Sequence, residues 1–169
     1  MLPLSDFKTL VRNGILPSID LVIRNQNKEV LLGKRLNAPA KNKWFVPGGR
    51  ILKNERIMNA LQRIIHSETG LDIEPLDAKF LGVYEHIYKN NYFGDSTFNT
   101  HYIVIAFGLD IEIETKPKQI DYQHKKYKFF STKKLLSLKN VHQYTKSYFI
   151  KHPSNLAIQP SNNNFFHKI

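Results

Sequence analysis

The chain has 169 residues, of which 41% are hydrophobic and 12% aromatic, and this composition predicts one folded domain rather than a disordered chain. It contains no cysteine, which excludes disulfides, thiol catalysis and cysteine-ligated metal centres. Twenty-five Lys and Arg against fourteen Asp and Glu give a formal net charge of +11, so an anionic partner is expected.

The basic residues are scattered in pairs along the chain, and no nucleic-acid-binding motif accompanies them. This distribution favours a phosphorylated small molecule over nucleic acid or a membrane surface. No apolar run approaches the ~20 residues that a membrane helix needs, and the N-terminus lacks the basic and apolar regions of a signal peptide. We therefore expect a cytoplasmic protein without a nucleic-acid or membrane partner.

The first half of the chain predicts two helices with strands between them. Apolar residues at helical spacing indicate a helix over 4–13 that ends at Gly14. Strands are predicted over 18–24 and 30–35, which form a hairpin, and over 44–46, where a tight glycine turn at 47–50 follows. A second helix is predicted from Asn54, a capping residue, to Thr69, and Gly70 ends it.

The second half predicts strands over 79–88, 101–113 and 127–130, followed by helices over 132–138 and 143–151. The tail from residue 153 is rich in Asn, Pro and Ser and is predicted to be irregular. The alternation of strands and helices favours a layered α/β domain with a mixed sheet.

Glu68 occupies an unusual position on the second helix. On a helical wheel it projects from the middle of the apolar stripe that contains Leu61 and Ile64, whereas Glu55 and Arg63 lie on the polar side. A carboxylate that faces a core is costly unless it is paired or bound to a metal ion. The glycine turn before the helix would also leave backbone carbonyls free to approach a ligand, and oxygen ligands of this kind suit magnesium.

The same residues form a longer pattern. Gly49, Glu55 and Arg63, followed by Glu68, Gly70 and Leu71, resemble the Nudix box, G-x5-E-x7-R-E-U-x-E-E-x-G-U with U aliphatic. Ile64 and Ser67 stand where the usual box has glutamates, so two carboxylates that normally serve metals are absent. Arg63 has two interpretations, a salt bridge with Glu55 that orients the box or a direct role in the reaction.

This altered box resembles one branch of the family, the GDP-mannose mannosyl hydrolases, and the likeness covers roughly residues 2 to 151. Outside the box it rests on residues 6–7, 20, 31–35, 39–40, 44–50, 82–83, 86, 88, 100–102, 123–124, 140–142 and 148–149. The resemblance implies a Nudix domain over 1–151 with the α/β/α sandwich fold and a mixed β-sheet, and it implies a homodimer. Residues 152–169 form a C-terminal tail of unknown role.

The resemblance further implies Mg²⁺-dependent hydrolysis of GDP-mannose to GDP and mannose by attack of water at the sugar C1 with inversion; GDP-glucose is a second candidate substrate. The leaving diphosphate needs its charge neutralised, which a metal ion and arginines achieve. The expected metal ligands are Gly49, Glu68 and Gln123, with Mn²⁺ as a substitute metal. Arg35 and Arg50 are expected to hold the diphosphate, and His124 is the expected general base because the pKa of histidine suits work near neutrality.

Five further residues are expected to bind the substrate. Asp20 occupies a strand position from which it would contact a sugar hydroxyl. His86 and Tyr102 occupy strand positions from which they would contact sugar hydroxyls or phosphate, although each of these two also fits a purely structural role. Leu2 and Phe7 resemble family positions near the nucleobase, and in a dimer they would reach the nucleobase from the second subunit.

Two other functions stay open. One is a Nudix enzyme that cuts the nucleotide sugar at phosphorus and gives a nucleoside monophosphate and a sugar 1-phosphate. The other is a non-catalytic nucleotide-sensing or nucleic-acid-binding domain. The missing glutamates and the Gln123–His124 pair argue against the first, and the retained Arg63 and Glu68 argue against the second.

Overall fold

The computed structural model describes residues 2–71, 73–112, 124–150 and 156–158. The helices in these residues are α1 (Leu4–Asn13), α2 (Ile57–Thr69), α3 (Thr132–Ser137) and α4 (Gln143–Ser147), and a short 3₁₀ helix spans Pro75–Asp77. The strands are β1 (Leu16–Arg24), β2 (Val30–Arg35), β3 (Trp44–Phe45), β4 (Gly48–Arg50), β5 (Lys79–Tyr88), β6 (Thr100–Asp110), β7 (His124–Phe130) and β8 (Leu156–Ile158).

These strands form one mixed sheet in the order β3-β2-β1-β6-β5-β8, with β4 paired to β1 and β7 paired to β2. Strand β1 runs antiparallel to β2 and β4 but parallel to β6. The parallel pairing extends from Leu16 opposite Tyr102 to Arg24 opposite Asp110. The mixed sheet predicted from the sequence is therefore confirmed.

Helices cover both faces of this sheet. Alternate side chains of a strand point to opposite faces, so the burial of neighbouring β1 residues shows what covers each face. Ile19 and Leu21 of β1 are buried in one hydrophobic cluster with Ile64 of α2. Val22 of the same strand is buried in a second cluster with Leu135 of α3. The α/β/α sandwich is confirmed, with α2 on one face and α3 and α4 on the other.

The glycine segment at 47–50 is not the tight turn that the sequence predicted. Gly48 lies opposite Asp20 and Gly49 lies opposite Ile19, so the segment forms strand β4 on β1. The glycines are needed because the backbone approaches its neighbours closely: a Cβ at Gly48 would lie 2.5 Å from Asp20 Oδ1, and one at Gly49 would lie 3.2 Å from Ile64 Cγ1. Local propensity predicts a turn here, but pairing with a distant strand decides the structure.

Helix α2 begins at Ile57 rather than at Asn54. Asn54 has a φ of 65° in the left-handed region, which places it in the turn before the helix, and Arg56 occupies the N-cap position. Glu55 consequently lies outside the helix rather than on its polar face, and its carboxylate accepts a hydrogen bond of 2.9 Å from the Leu52 backbone N–H.

Other element boundaries agree with the sequence predictions to within a few residues. Helix α1 spans the predicted residues and ends at Gly14, and β2 and β5 also have the predicted bounds. Strand β6 ends at Asp110 and α4 ends at Ser147, so the predicted strand over 111–112 and the predicted helix over 148–150 are wrong; residues 113 and 151 lie outside the described residues.

The C-terminal tail contains a strand that the sequence did not predict. Strand β8 pairs antiparallel with β5, with Val83 opposite Ile158 and Tyr84 opposite Leu156. The prediction of an irregular tail is therefore wrong for these three residues. The domain boundary predicted at residue 151 lies outside the described residues and stays a prediction. No helix in the described part of the chain is long and apolar enough to cross a membrane.

Candidate active site

A cavity of about 450 Å³ lies beside the centre of the sheet, with walls supplied by α1 and by strands β1, β2, β4, β5 and β6. This volume is within the range of small-molecule sites. All seven residues predicted to bind substrate line it: Leu2, Phe7, Asp20, Arg35, Arg50, His86 and Tyr102. Residues from six separate elements thus converge on one cavity.

Two arginines give the cavity its positive charge. The Nε of Arg35, at the end of β2, is buried and has no hydrogen-bond partner among the described residues. The guanidinium of Arg50, in β4, lies 3.9 Å from the centre of the Phe7 ring. Burial lowers the pKa of Arg50, and Tyr102 partly opposes this effect. A buried cationic donor without a partner is costly, so this cavity is suited to an anion that accepts hydrogen bonds.

Arg63 contacts the backbone of Arg50 and so influences where the Arg50 side chain lies. Its guanidinium donates to both carboxylate oxygens of Glu55, at 2.7 and 2.8 Å, and to the carbonyl oxygen of Arg50 at 2.9 Å. The hydrogen bonds from Arg63 lower the pKa of Glu55. Of its two interpretations, the structure shows the salt bridge: Arg63 ties Glu55 to strand β4 and thereby fixes the position of Arg50.

Asp20 is the acidic group of the cavity. It is 7% exposed, and its Oδ2 accepts a hydrogen bond of 2.5 Å from the hydroxyl of Tyr148. Burial raises the pKa of Asp20 to about 7, although the Tyr148 hydrogen bond and the nearby charge of Arg35 act in the opposite direction. This carboxyl can therefore exchange a proton near neutral pH.

His86 lies behind Asp20 in an aromatic environment. Its ring stacks on Tyr144 with centroids 4.1 Å apart, and Phe45 and Tyr88 pack edge-on against it. Burial lowers the pKa of His86 to about 3, and the proximity of His142 contributes. The imidazole is therefore neutral at pH 7, so it is suited to hydrogen bonding with a hydroxyl rather than to accepting a proton in the reaction.

The side of the cavity formed by Leu2 and Phe7 is tied to the loop over residues 89–99. The Phe7 ring packs on Tyr92 and Phe93, with centroids 6.1 and 5.5 Å away. The loop itself is organised by the buried side chain of Asn91, which donates to the carbonyl oxygens of Asp95 and Phe98 at 2.6 and 2.8 Å. This side offers aromatic faces to a ligand.

The predicted metal ligands are brought together only in part. Glu68 is 5% exposed, as the helical wheel predicts, but it does not line the cavity. Gly49 does line it and packs against Ile64, one turn before Glu68 on α2. Gln123 lies outside the described residues. His124 begins β7 with its backbone opposite Arg35, while its side chain is outside the described part.

The predicted metal ligands among the described residues, one carboxylate and one backbone carbonyl, would suit one hard cation. No group of three or more His, Asp or Glu side chains lies together in the part of the chain that the structure describes. Ile64, in place of one box glutamate, is completely buried in the core and cannot hold a metal. One carboxylate and a backbone carbonyl, completed by water and phosphate oxygens, match the way Mg²⁺ is usually bound.

The sequence predictions missed the role of the tyrosines of the C-terminal helix. In the sequence analysis Tyr148 was only one of the residues that carry the family resemblance. In the structure its hydroxyl donates a hydrogen bond to Asp20, 128 positions away in the sequence. Tyr88 and Tyr92 also line the cavity and were not singled out as ligand contacts. The available signal was the spacing of Tyr144 and Tyr148, four residues apart, which places both on one face of a helix.

The comparisons with known proteins agree with this architecture. The family model of the NUDIX domain matches residues 14–151. The low-salt glycan biosynthesis protein Agl8 of Haloferax volcanii is 34% identical over 147 residues, which is 87% of this chain and 88% of that protein. The chain therefore belongs to the Nudix hydrolase family, whose members generally use divalent metals such as Mg²⁺ or Mn²⁺.

Solved structures show the same fold at lower identity. The MutT protein from Methanosarcina mazei Go1 superposes with a TM-score of 0.64 at 23% identity, over 79% of this chain and 89% of that chain. The NUDIX domain of Shewanella oneidensis NrtR, complexed with ADP ribose, superposes with a TM-score of 0.56 at 16% identity, over 83% of this chain and 90% of that chain.

Proposed function

We propose that the protein hydrolyses GDP-mannose to GDP and mannose by attack of water at the sugar C1 with inversion, and that GDP-glucose is a second substrate. The observation that carries the proposal is the content of one cavity: two arginines suited to a diphosphate lie beside a carboxyl and a neutral imidazole suited to sugar hydroxyls. The likeness to a glycan biosynthesis protein supports a nucleotide sugar as the substrate class.

Departure of GDP needs its new charge stabilised. Arg35 and Arg50 line the cavity, and the buried Nε of Arg35 has no partner among the described residues, so these two side chains would bind the diphosphate. Glu68, the Gly49 carbonyl and Gln123 would hold Mg²⁺, which supplies further neutralisation of the leaving group when bound. Arg63 keeps Arg50 in place through its backbone carbonyl.

The sugar end requires a base for water and contacts to the hydroxyls. We assign the base role to His124, which is opposite Arg35 in the β2–β7 pair. His86 is a poor base because burial lowers its pKa to about 3. Asp20, His86 and Tyr102 would then bind sugar hydroxyls or the adjacent phosphate, and Phe7 and Leu2 would contact the nucleobase.

The composition of the box favours this reaction over cleavage at phosphorus. Enzymes that attack phosphorus through several metal ions need several carboxylates, whereas α2 supplies Glu68 and places the apolar Ile64 at the neighbouring box position. Ile64 is completely buried and faces Gly49 of β4 from α2, which supports a packing role for this position.

Isotope labelling tests the bond that is cleaved. The protein would be incubated with GDP-mannose and Mg²⁺ in ¹⁸O-water, and the products would be followed by phosphorus NMR and mass spectrometry. We expect GDP without label and mannose carrying ¹⁸O. GMP or mannose 1-phosphate as a product would instead establish the phosphorus-cleaving alternative.

We also propose that the protein is a homodimer, since the resemblance implies one. The α1 end of the cavity carries exposed apolar side chains, Leu2 and Leu4, which a second subunit would cover. Light scattering at several concentrations would show twice the chain mass, and a monomer at all concentrations would rule the dimer out.

A further inference from the structure

The α4 region supplies two tyrosines that lie behind the cavity rather than in its wall. Tyr144 is in α4, and Tyr148 is the residue that caps its C-terminal end. Both are buried in the cluster on that face of the sheet, and neither lines the cavity. Each nevertheless touches a residue that does: Tyr144 stacks on His86, and Tyr148 hydrogen-bonds to Asp20.

The contact between Tyr148 and Asp20 is directional. The Tyr148 hydroxyl donates to Asp20 Oδ2 at 2.5 Å and lies 3.4 Å from Nε2 of His86. The other carboxylate oxygen of Asp20, Oδ1, makes no hydrogen bond to any described residue. The backbone of Gly48 lies close to Oδ1 and limits the movement of the carboxylate. One oxygen is thus fixed by the protein and the other remains available on the cavity side.

Other charged or titratable groups surround Asp20 without replacing this hydrogen bond. Arg35 reaches it from β2 through charge, Tyr88 from β5 and Tyr102 from β6. Arg35 makes no hydrogen bond to Asp20, and its Nε has no hydrogen-bond partner among the described residues. The orientation of the carboxyl plane therefore depends on the single hydroxyl of Tyr148.

We propose that Tyr148 is a positioning residue that orients Asp20 so that Oδ1 accepts a hydrogen bond from a sugar hydroxyl of the bound nucleotide sugar. This inference rests on the proposed function, because it needs a sugar beside Asp20. Tyr148 itself touches no substrate. Its hydroxyl holds Oδ2 of Asp20 and so prevents the carboxylate group from rotating. The diphosphate and nucleobase contacts are independent of it.

A double-mutant cycle tests this dependence. Tyr148→Phe would be measured in the wild-type background and in the Asp20→Ala background, with kcat/KM for GDP-mannose and the affinity for GDP as the two readouts. In the wild-type background we expect kcat/KM to fall roughly tenfold, the effect of one lost charge-assisted hydrogen bond. In the Asp20→Ala background the same change should cost less than about twofold, because no carboxylate remains to be oriented.

GDP affinity separates positioning from general damage, since GDP has no sugar. We expect Tyr148→Phe to bind GDP within about twofold of wild type. Tyr144→Phe is the matched control: it removes a buried hydroxyl from the same helix, one that donates to the Ile87 carbonyl at 2.7 Å, without touching Asp20. Its effect on kcat/KM, whatever its size, should be the same in both backgrounds.

Each outcome is decisive. Equal losses from Tyr148→Phe in both backgrounds, a parallel loss of GDP affinity, or a variant that does not fold would assign the hydroxyl to stability and overturn the inference. Wild-type protein that neither binds nor hydrolyses GDP-mannose would overturn the proposed function and this inference with it. Activity of the wild type with independent mutational effects would overturn the inference alone.

Discussion

Individual side chains determine which reaction this Nudix domain can catalyse, because Ile64 and Ser67 replace two of the usual box glutamates. Glu68 could be found from the sequence, since a helical wheel places it on the apolar stripe and the structure buries it there. The bond between Tyr148 and Asp20 could not, because it joins residues 128 positions apart and no local pattern records the contact. Local periodicity predicts burial, whereas partners across the sheet depend on the tertiary fold.

The metal proposal predicts a large effect at Glu68. Glu68→Gln removes the negative charge of the proposed ligand while nearly preserving its volume, so activity at moderate Mg²⁺ should fall by roughly two orders of magnitude or more. Steady-state rates across a Mg²⁺ titration would measure it, with Glu74→Gln at an exposed position as the control. Wild-type Mg²⁺ dependence in a folded Glu68→Gln protein would show that the metal lies elsewhere.

The general-base proposal predicts a change in rate and pH profile at His124. His124→Gln should lower kcat by about 10²–10⁴-fold and leave KM nearly unchanged, because base assistance is made in the transition state. A histidine base should make kcat rise with pH near neutrality, and His124→Gln should flatten this pH dependence. His66→Gln, at an exposed position on α2, is the control. Full activity in His124→Gln would transfer the role to Asp20 as the next residue to test.

At the scale of elements, the cavity depends on how α1 is held against the 89–99 loop. Lys8 and Arg12 of α1 lie 3.0 and 3.5 Å from Oδ2 of Asp95. Hydrogen bonds from Thr97, followed by Lys8, hold the pKa of Asp95 well below its usual range. The helix bounds were predictable from apolar spacing and Gly14, but the pairing of helix and loop was not, because it joins residues more than 80 positions apart and no local pattern records it.

Loosening this pairing should affect binding more than chemistry. Asp95→Asn removes the charge that Lys8 and Arg12 share, so α1 should be less well fixed and KM for GDP-mannose should rise a few-fold while kcat changes little. Steady-state kinetics and hydrogen exchange of α1 would measure both effects. Asp110→Asn is a matched control, since Asp110 also pairs with basic side chains, but these are Arg24 of β1 and Lys79 of β5 rather than residues of α1. A fall in kcat with constant KM would contradict this role of α1.

The glycine segment and the tail show where element prediction fails. Residues 47–50 have the composition of a turn, but Gly48 and Gly49 are strand residues because they pair with β1, and the closeness of β1 and α2 favours glycine at both positions. The tail has the composition of an irregular segment, but β8 pairs with β5. In both cases the deciding interaction is with a strand distant in sequence.

At the scale of the whole molecule, the buried titratable groups make stability depend on pH in opposite directions. Burial raises the pKa of Asp20 to about 7 from 3.8, so its contribution to stability is present below about pH 4 and is lost as pH rises to about 7. Burial lowers the pKa of His86 to about 3 and of His142 to about 4. The two histidines therefore reduce stability as pH falls below 6.5.

A difference between variants isolates the contribution of Asp20. Asp20→Asn removes its ionisation and leaves the histidines unchanged, so the stability of the variant relative to wild type should increase between pH 4 and 7 and then remain constant. The increase should be on the order of 1–4 kcal/mol. Chemical denaturation at a series of pH values measures it. A difference that does not vary with pH would show that Asp20 titrates in its ordinary range.

The parallel pairing of β1 with β6 has a consequence for how the chain folds. It joins residues as far apart as Arg24 and Asp110, 86 positions along the sequence, at the centre of the sheet. Bringing such distant segments together costs loop entropy before any contact compensates for it, which slows folding. During synthesis, β1 cannot form this pairing until β6 has left the ribosome. Until then the edge of β1 that pairs with β6 is unpaired, so the nascent chain should be most prone to aggregate at this stage.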